Sequence, residues 1–198
     1  YFTSLEGQFQ AQEEASQLIL WLSMVSLLLI FAVLYSRYKS AVLALIIMGN
    51  VPLALIGSVA ALWIAGQSFS VASAIGFITL AGIATRNGIL KISHYINLAL
   101  FEGETFGKSL VVRGTLERLR PVLMTALSAG IALVPLMIGA DEPGKEILHP
   151  VAVTIFGGLF SATLIDAFLT PALFLRFGRK PLERLLVAKD EQREVHAF

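Results

Sequence analysis

Five long apolar blocks constrain the fold more than any other feature of this sequence. Each block holds at least 20 residues, about the number that a helix needs to cross the hydrocarbon core of a bilayer. Only 15% of the residues are charged, whereas soluble domains have about 25%. The sequence therefore predicts an all-α membrane protein, a five-helix transmembrane bundle. Its helices are expected at residues 17–36, 41–65, 69–100, 121–140 and 151–175.

The positions of the basic residues indicate the orientation of this bundle. Of the 15 Lys and Arg residues, 12 follow the first, third or fifth block. Cytoplasmic connections carry an excess of Lys and Arg, so these three connections should be cytoplasmic. We expect residues 1–16 to end an extracytoplasmic domain, residues 17–177 to form the bundle, and residues 178–198 to form a cytoplasmic tail. The N-terminus of the chain would then lie outside the cytoplasm. The basic residues serve membrane topology in this interpretation and do not indicate nucleic-acid binding.

Two connections and one proline give further local expectations. The mixed-charge segment 102–120 should connect the third and fourth helices and could form a helix on the membrane surface. Residues 141–149 should form a short acidic loop on the outer side. Pro52 lacks an amide hydrogen, and we expect it to kink the second helix.

Small residues spaced four apart mark faces on which two membrane helices can approach closely. The second block contains one such pair and the fifth contains two. The pairs are Gly57 with Ala61, Gly157 with Ser161, and Gly158 with Ala162. We expect these pairs to lie at helix crossings.

Arg86 is the candidate functional residue, because it lies near the middle of the third block. A charge at that depth costs about 2.5–3.5 kcal/mol on insertion scales and usually marks an ion path, a substrate site or a charge partner. Asp166 is the one acid inside any of the five blocks. Helical rise places Arg86, Thr125 and Asp166 at similar depths, so we expect them to face one another, with Arg86 paired to Asp166. Lys91 and His94, by contrast, should reach the cytoplasmic interface by snorkelling.

The chemistry of arginine limits what Arg86 could do. The guanidinium group of arginine loses its proton only at a pH above about 12. Arg86 would therefore act as a fixed positive charge that changes partners when a nearby carboxylate is protonated. A static structural ion pair is the alternative interpretation.

Four segments together resemble the resistance–nodulation–division exporters, which are proton-driven efflux pumps. The segments are 50–57 (NVPLALIG), 82–90 (GIATRNGIL), 118–125 (RLRPVLMT) and 157–171 (GGLFSATLIDAFLTP). Their order matches the family, and the resemblance covers essentially the whole chain. It implies the last five of the family's twelve transmembrane helices, its C-terminal half. The Asn-Val-Pro and Arg-Asn sequences resemble the heavy-metal branch more than the multidrug branch.

The resemblance also implies roles for individual residues in a proton relay. Arg86, followed by Asn87, falls where multidrug members have the relay lysine. Arg118 and Thr125 fall on the relay arginine and threonine of the next helix. Arg for Lys keeps the charge but loses easy deprotonation. Asp166 falls where many members have an apolar residue, so this chain departs from the family pattern there.

The family resemblance implies partners as well. It implies a homotrimer in the bacterial inner membrane that works with a periplasmic adaptor protein and an outer-membrane channel, and it places the titrating aspartates in an N-terminal half that this chain lacks. Protons would drive the export of metal cations or small toxic compounds.

Two alternative functions remain open at the sequence level. One is a protein-export or lipid-export member of the same superfamily, and the other is an unrelated five-helix permease or scaffold subunit. An enzyme is not expected, because the sequence has no phosphate loop, triad spacing or zinc motif. No cofactor or resident metal is expected either, since the chain has no cysteine and its three histidines are scattered.

Overall fold

The computed structural model describes residues 2–138 and 145–195, and the regular structure within those ranges is helical. The helices are α1 (Phe2–Tyr38), α2 (Ala41–Met48), α3 (Asn50–Ile64), α4 (Val71–Phe101), α5 (Lys108–Met137), α6 (Lys145–Phe177) and α7 (Arg179–Val195). Five apolar stretches are long enough to cross a membrane, and they occupy residues 12–38, 41–64, 71–101, 108–137 and 147–177. The predicted all-helical membrane fold with five spans is confirmed.

The second span is interrupted at Gly49, between α2 and α3. Gly49 lies three residues before Pro52. The proline has no amide hydrogen to donate to the Met48 carbonyl, and its ring crowds that carbonyl. The helix is therefore disturbed on the N-terminal side of Pro52, where a kink was expected. Asn50, the residue immediately after the interruption, is buried.

α3 and α6 cross at the predicted small-residue pairs. A Cβ atom placed on Gly57 would lie 2.1 Å from the Cβ of Ser161, and one placed on Gly157 would lie 2.2 Å from the Cβ of Ala61. Neither distance is possible between real atoms, so the two helix backbones touch through their glycines. Gly158 makes a similarly close approach to Leu80 of α4. The expectation that these pairs mark helix crossings is confirmed.

The central helices α3, α4 and α6 are the buried part of the bundle. α1 and α5 bury only a small share of their most apolar stretches within the described residues. Large apolar side chains remain exposed along both of these helices, among them Leu28, Trp21, Leu127 and Ile131. The bundle thus has a packed centre and two open flanks.

Segment 102–120 does not form a separate surface helix, so that expectation was wrong. α5 begins at Lys108 and runs without interruption through the fourth span. Its first turns bury Leu110, Val111 and Gly114, and a Cβ on Gly114 would lie 2.6 Å from the Tyr95 ring of α4. Packing against α4, rather than against a membrane surface, holds this part of the helix.

The ends of the predicted domains fall partly on regular helix. Residues 2–16 are continuous with the first span in α1, and α7 occupies most of the predicted tail. The predicted outer loop lies partly outside the described residues, and its last five residues begin α6. The assignment of residues 1–16 to an extracytoplasmic domain stays a prediction.

Candidate functional site

A buried ion pair joins α4 to α6. The ammonium Nζ of Lys91 lies 2.6 Å from Oδ2 of Asp166 and donates a hydrogen bond of 2.7 Å to the Asp166 backbone carbonyl. Each residue is only 3% exposed. Removing two opposite charges from water costs free energy. Their attraction offsets that cost only where the geometry is good and further hydrogen bonds are present.

Those further hydrogen bonds come from two buried polar neighbours of Asp166. The Thr170 hydroxyl donates to Oδ1 of Asp166 at 2.6 Å. The Asn50 side-chain amide donates to the same oxygen at 3.3 Å and to the Thr170 hydroxyl oxygen at 2.9 Å. Thr170 follows Asp166 by four residues, which places both on one face of α6. Asn50 reaches them from the start of α3, beside the interruption at Gly49. We call these four residues, Asn50, Lys91, Asp166 and Thr170, the buried polar network.

A cleft between α4 and α5 contains the other predicted site residues. Its volume is about 230 Å³, and its polar lining consists of Arg86, Asn87, Lys91, Arg118 and Thr125. The structure thus brings together four of the five predicted site residues. Asp166 does not line the cleft.

The cleft is positively charged and open on one side. Arg86 is exposed, and no described residue forms a hydrogen bond or ion pair with it. The Nε atom of Arg118 is buried without a described partner. The Thr125 hydroxyl donates to the Val122 carbonyl of its own helix at 2.9 Å. No carboxylate among the described residues lines the cleft, so its arrangement suits an anionic group that comes from outside these helices.

The predicted pairing of Arg86 with Asp166 was wrong, and so was the expectation that Lys91 snorkels to the interface. Lys91 follows Arg86 by five positions on α4, which turns their side chains roughly 140° apart at 3.6 residues per turn. α6 packs on the Lys91 side, so Lys91 pairs with Asp166. Arg86 points instead to the open side toward α5. His94, which was predicted with Lys91 to reach the interface, is partly exposed. Its Nε2 atom lies 2.7 Å from Oε2 of Glu117.

The sequence contained a signal that would have located Lys91. Gly88 lies three residues before Lys91 and Ala84 seven residues before it, so the three share one face of the helix. Gly88 and Ala84 are both buried against other helices. Small residues at helical spacing mark the side on which membrane helices pack. A lysine on that face is a buried charge that needs an acidic partner, and Asp166 is the one acid inside the five apolar blocks.

Lys91 belongs to both sites, which makes it the link between them. Its side chain lines the cleft of Arg86 and Arg118, while its ammonium group contacts Asp166. A change in the charge of Asp166 would therefore act directly on Lys91 and so change the electrostatic potential at the wall of the cleft. Ionisable residues buried in a membrane bundle usually mark ion pathways or proton relays. The fold and these two sites define a multi-span helical membrane protein with ionisable groups buried between its helices.

Comparison with known proteins specifies the family. The model of the AcrB/AcrD/AcrF family matches residues 1–178. The chain is 35% identical over 194 residues to the cobalt-zinc-cadmium resistance protein CzcA of Cupriavidus metallidurans, covering 98% of this chain and 17% of the relative. It is 41% identical over 167 residues to the nickel and cobalt resistance protein CnrA of the same organism, covering 84% of this chain and 15% of the relative.

A solved structure agrees with the sequence comparison. The crystal structure of a heavy metal efflux pump superposes with a TM-score of 0.74 and 38% identity, covering 86% of this chain and 16% of that chain. The chain belongs to the AcrB/AcrD/AcrF family of resistance–nodulation–division transporters. It corresponds to a C-terminal transmembrane part of the heavy-metal branch. It spans less than a fifth of the length of the relatives that it matches.

Proposed function

We propose that this chain is the C-terminal transmembrane part of a proton-driven efflux pump, a secondary active transporter and not an enzyme. The observation that carries the proposal is the buried Lys91–Asp166 pair at the wall of a cationic cleft. Membrane bundles rarely bury a charge pair at such a place without a use in transport. The cargo would be a divalent metal cation, since the relatives CzcA and CnrA are named for metal resistance; small toxic compounds are the broader class.

The proposed coupling is an exchange of charge partners. With Asp166 ionised, Lys91 is held against α6. When Asp166 takes up a proton, Lys91 loses its partner, and the nearest polar space is the cleft that it already lines. An anionic group in that cleft would then receive Lys91. Asp166 would in this way convert the binding of a proton into movement between α4 and α6.

Arg86 and Arg118 would hold that anionic group in the cleft. Both guanidinium groups stay charged at any physiological pH, so they act as fixed charges. Asn87 and Thr125 would add uncharged hydrogen-bonding groups to the same lining. The family resemblance suggests aspartates of an N-terminal half as the source of the anionic group.

The assembly and location of the pump follow the family in this proposal. It would lie in the bacterial inner membrane as a homotrimer, with a periplasmic adaptor and an outer-membrane channel as partners. The start of this chain would face the periplasm and its end the cytoplasm, because 12 of the 15 basic residues follow the first, third or fifth apolar block, and cytoplasmic segments carry an excess of Lys and Arg.

The alternative functions are less well supported. Family membership excludes an unrelated five-helix permease or scaffold. A protein-export or lipid-export role within the superfamily has less support, because the curated relatives described above are named for metal resistance. We therefore take metal efflux as the function to test.

Replacement of Arg86 tests the proposed role of the cleft. In the full-length pump, Arg86→Ala should reduce metal efflux about 10- to 100-fold, because hydrogen bonds to charged groups are worth about 1.5–3 kcal/mol. Arg86→Lys should retain part of the activity, since it keeps the charge. Efflux is measured as metal retained by cells after loading, at matched amounts of pump in the membrane.

The control for this experiment is Arg120→Ala. Arg120 is also an exposed arginine, close to Arg118 in α5, but it does not line the cleft. It should leave efflux near the native level. Native efflux in Arg86→Ala would refute a coupling role for Arg86 and would leave it as a structural charge.

A further inference from the structure

A second concave surface lies where the connection between α1 and α2 meets the connection between α6 and α7. Its volume is about 660 Å³. The two contributing segments, residues 35–42 and 176–184, are far apart in the sequence, so folding creates this surface. Five basic residues line it: Lys39, Arg176, Arg179, Lys180 and Arg184. We call this surface the basic pocket.

In the part of the chain that the structure describes, most charges of the basic pocket have no acidic partner, and no acidic residue lines it. Among the described side chains, Arg179 has an acidic partner, Glu183, at 2.9 Å. That pair is exposed, and exposed pairs of this spacing are worth only a few tenths of a kcal/mol. The concentration of positive charge in one concavity therefore favours an anionic ligand.

Lys39 lines the pocket in a strained backbone conformation. Its φ angle is +48°, in the left-handed region that residues other than glycine seldom adopt. The Lys39 amide donates to the Tyr35 carbonyl at 2.8 Å, and the next residue, Ser40, caps α2. Glycine would fit this turn without strain. A strained residue that is held in place by its surroundings is a sign of function, and here it adds a cation to the pocket.

The pocket also has an apolar rim. Tyr35 and Phe177 line it and are each 50% exposed. Aromatic residues concentrate at the level of lipid headgroups, and both lie at the ends of membrane-spanning helices. Cations beside exposed aromatic rings suit a ligand with a charged head and an apolar tail.

We propose that the basic pocket binds the phosphate of an anionic phospholipid headgroup. Basic pockets between membrane helices on the cytoplasmic side are known to receive such headgroups. Lys39 and Lys180 would contact the phosphate as point charges, and Arg176 and Arg184 would supply forked hydrogen bonds. Tyr35 and Phe177 would lie beside the start of the acyl chains. This site is separate from the cleft of Arg86 and does not depend on the proposed coupling.

Native mass spectrometry of the detergent-purified full-length pump tests the proposal. The pump is titrated with phosphatidylglycerol, with phosphatidylethanolamine and with inorganic phosphate. Phosphatidylglycerol should bind best. Lys180→Gln/Arg184→Gln should weaken that binding about 25-fold, at about fivefold for each cation. The control Lys108→Gln/Arg120→Gln removes two exposed cations outside the pocket and should leave binding unchanged.

A second variant keeps the test valid if the double variant fails to fold. Lys39→Gly removes one cation and also relieves the backbone strain that the positive φ angle causes in lysine. It should weaken phosphatidylglycerol binding about fivefold while raising the melting temperature of the pump. Native lipid binding in both variants would overturn the proposal. Equal binding of inorganic phosphate, or an equal loss in the control, would overturn it as well.

Discussion

Replacing Lys91 or Asp166 alone should strongly destabilise the pump, whereas replacing both should restore its assembly but not its transport. Lys91→Met leaves a buried carboxylate without its cation, and Asp166→Asn leaves a buried ammonium without its anion. Breaking a buried pair in this way costs about 3–5 kcal/mol, while replacing both partners by uncharged groups of similar size is often neutral. Asn at position 166 keeps an oxygen for the Thr170 and Asn50 hydrogen bonds.

Melting of the purified pump and metal resistance of cells measure the two halves of this prediction. Each single variant should melt well below the native pump, and Lys91→Met/Asp166→Asn should melt near it. The double variant should nevertheless fail to confer resistance at native abundance, since it has no group that binds a proton at this position. Native resistance in the double variant would show that the pair is only structural.

The exposed pair Arg179–Glu183 provides the matched control for stability. It is also a single close ion pair, with 2.9 Å between Nε of Arg179 and Oε1 of Glu183, but both side chains are more than half exposed. Arg179→Met and Glu183→Gln should each change stability by less than about 0.5 kcal/mol. A loss as large as that of Lys91→Met would mean that burial does not explain the effect at Lys91.

Gly57→Ala and Gly157→Ala should each prevent normal assembly of the bundle. The added Cβ atom would lie 2.1 Å from Ser161 or 2.2 Å from Ala61, so α3 and α6 would have to separate. Overpacking of this kind typically costs about 1–3 kcal/mol and occasionally more. Because backbone stands directly behind the contact at both positions, we expect the upper end of that range. The measurement is the yield and the melting temperature of the purified pump.

Gly130→Ala is the control for these two variants. Gly130 also lies inside a membrane-spanning helix, α5, but its added Cβ would be 3.5 Å from the nearest side-chain atom, in the Phe156 ring. That is an ordinary van der Waals contact, so the melting temperature should stay within a few degrees of native. Equal losses at Gly57 and Gly130 would contradict close packing of α3 on α6.

The features predicted well from the sequence are those that depend on neighbours along the chain. A run of 20 apolar residues predicts a span because length alone decides whether a helix crosses the bilayer. Pro52 disturbs the helix in which it lies, so a disturbance near Gly49 can be predicted without knowing how the other helices pack. The small pair Gly57 and Ala61 predicted a close contact, although not that its partner would be Gly157.

The pairing of buried charges could not be predicted from depth alone. Arg86 and Lys91 lie within two turns of each other on α4, and which of the two meets Asp166 depends on how α4 is rotated against α6. That rotation is set by the glycine contacts between helices, such as Gly158 against Leu80. The sequence shows Asn50 only as part of the Asn-Val-Pro motif, because its role arises from contacts with residues more than 100 positions away.

We propose that the buried polar network couples proton movement to metal transport. The direct test reconstitutes the full-length pump in liposomes that contain a pH-sensitive dye, with Co²⁺ or Zn²⁺ added to start transport. The native pump should move protons in step with the metal. Lys91→Met/Asp166→Asn, folded and at equal amount, should move few protons and little metal. Undiminished, metal-dependent proton movement by that variant would contradict the claim.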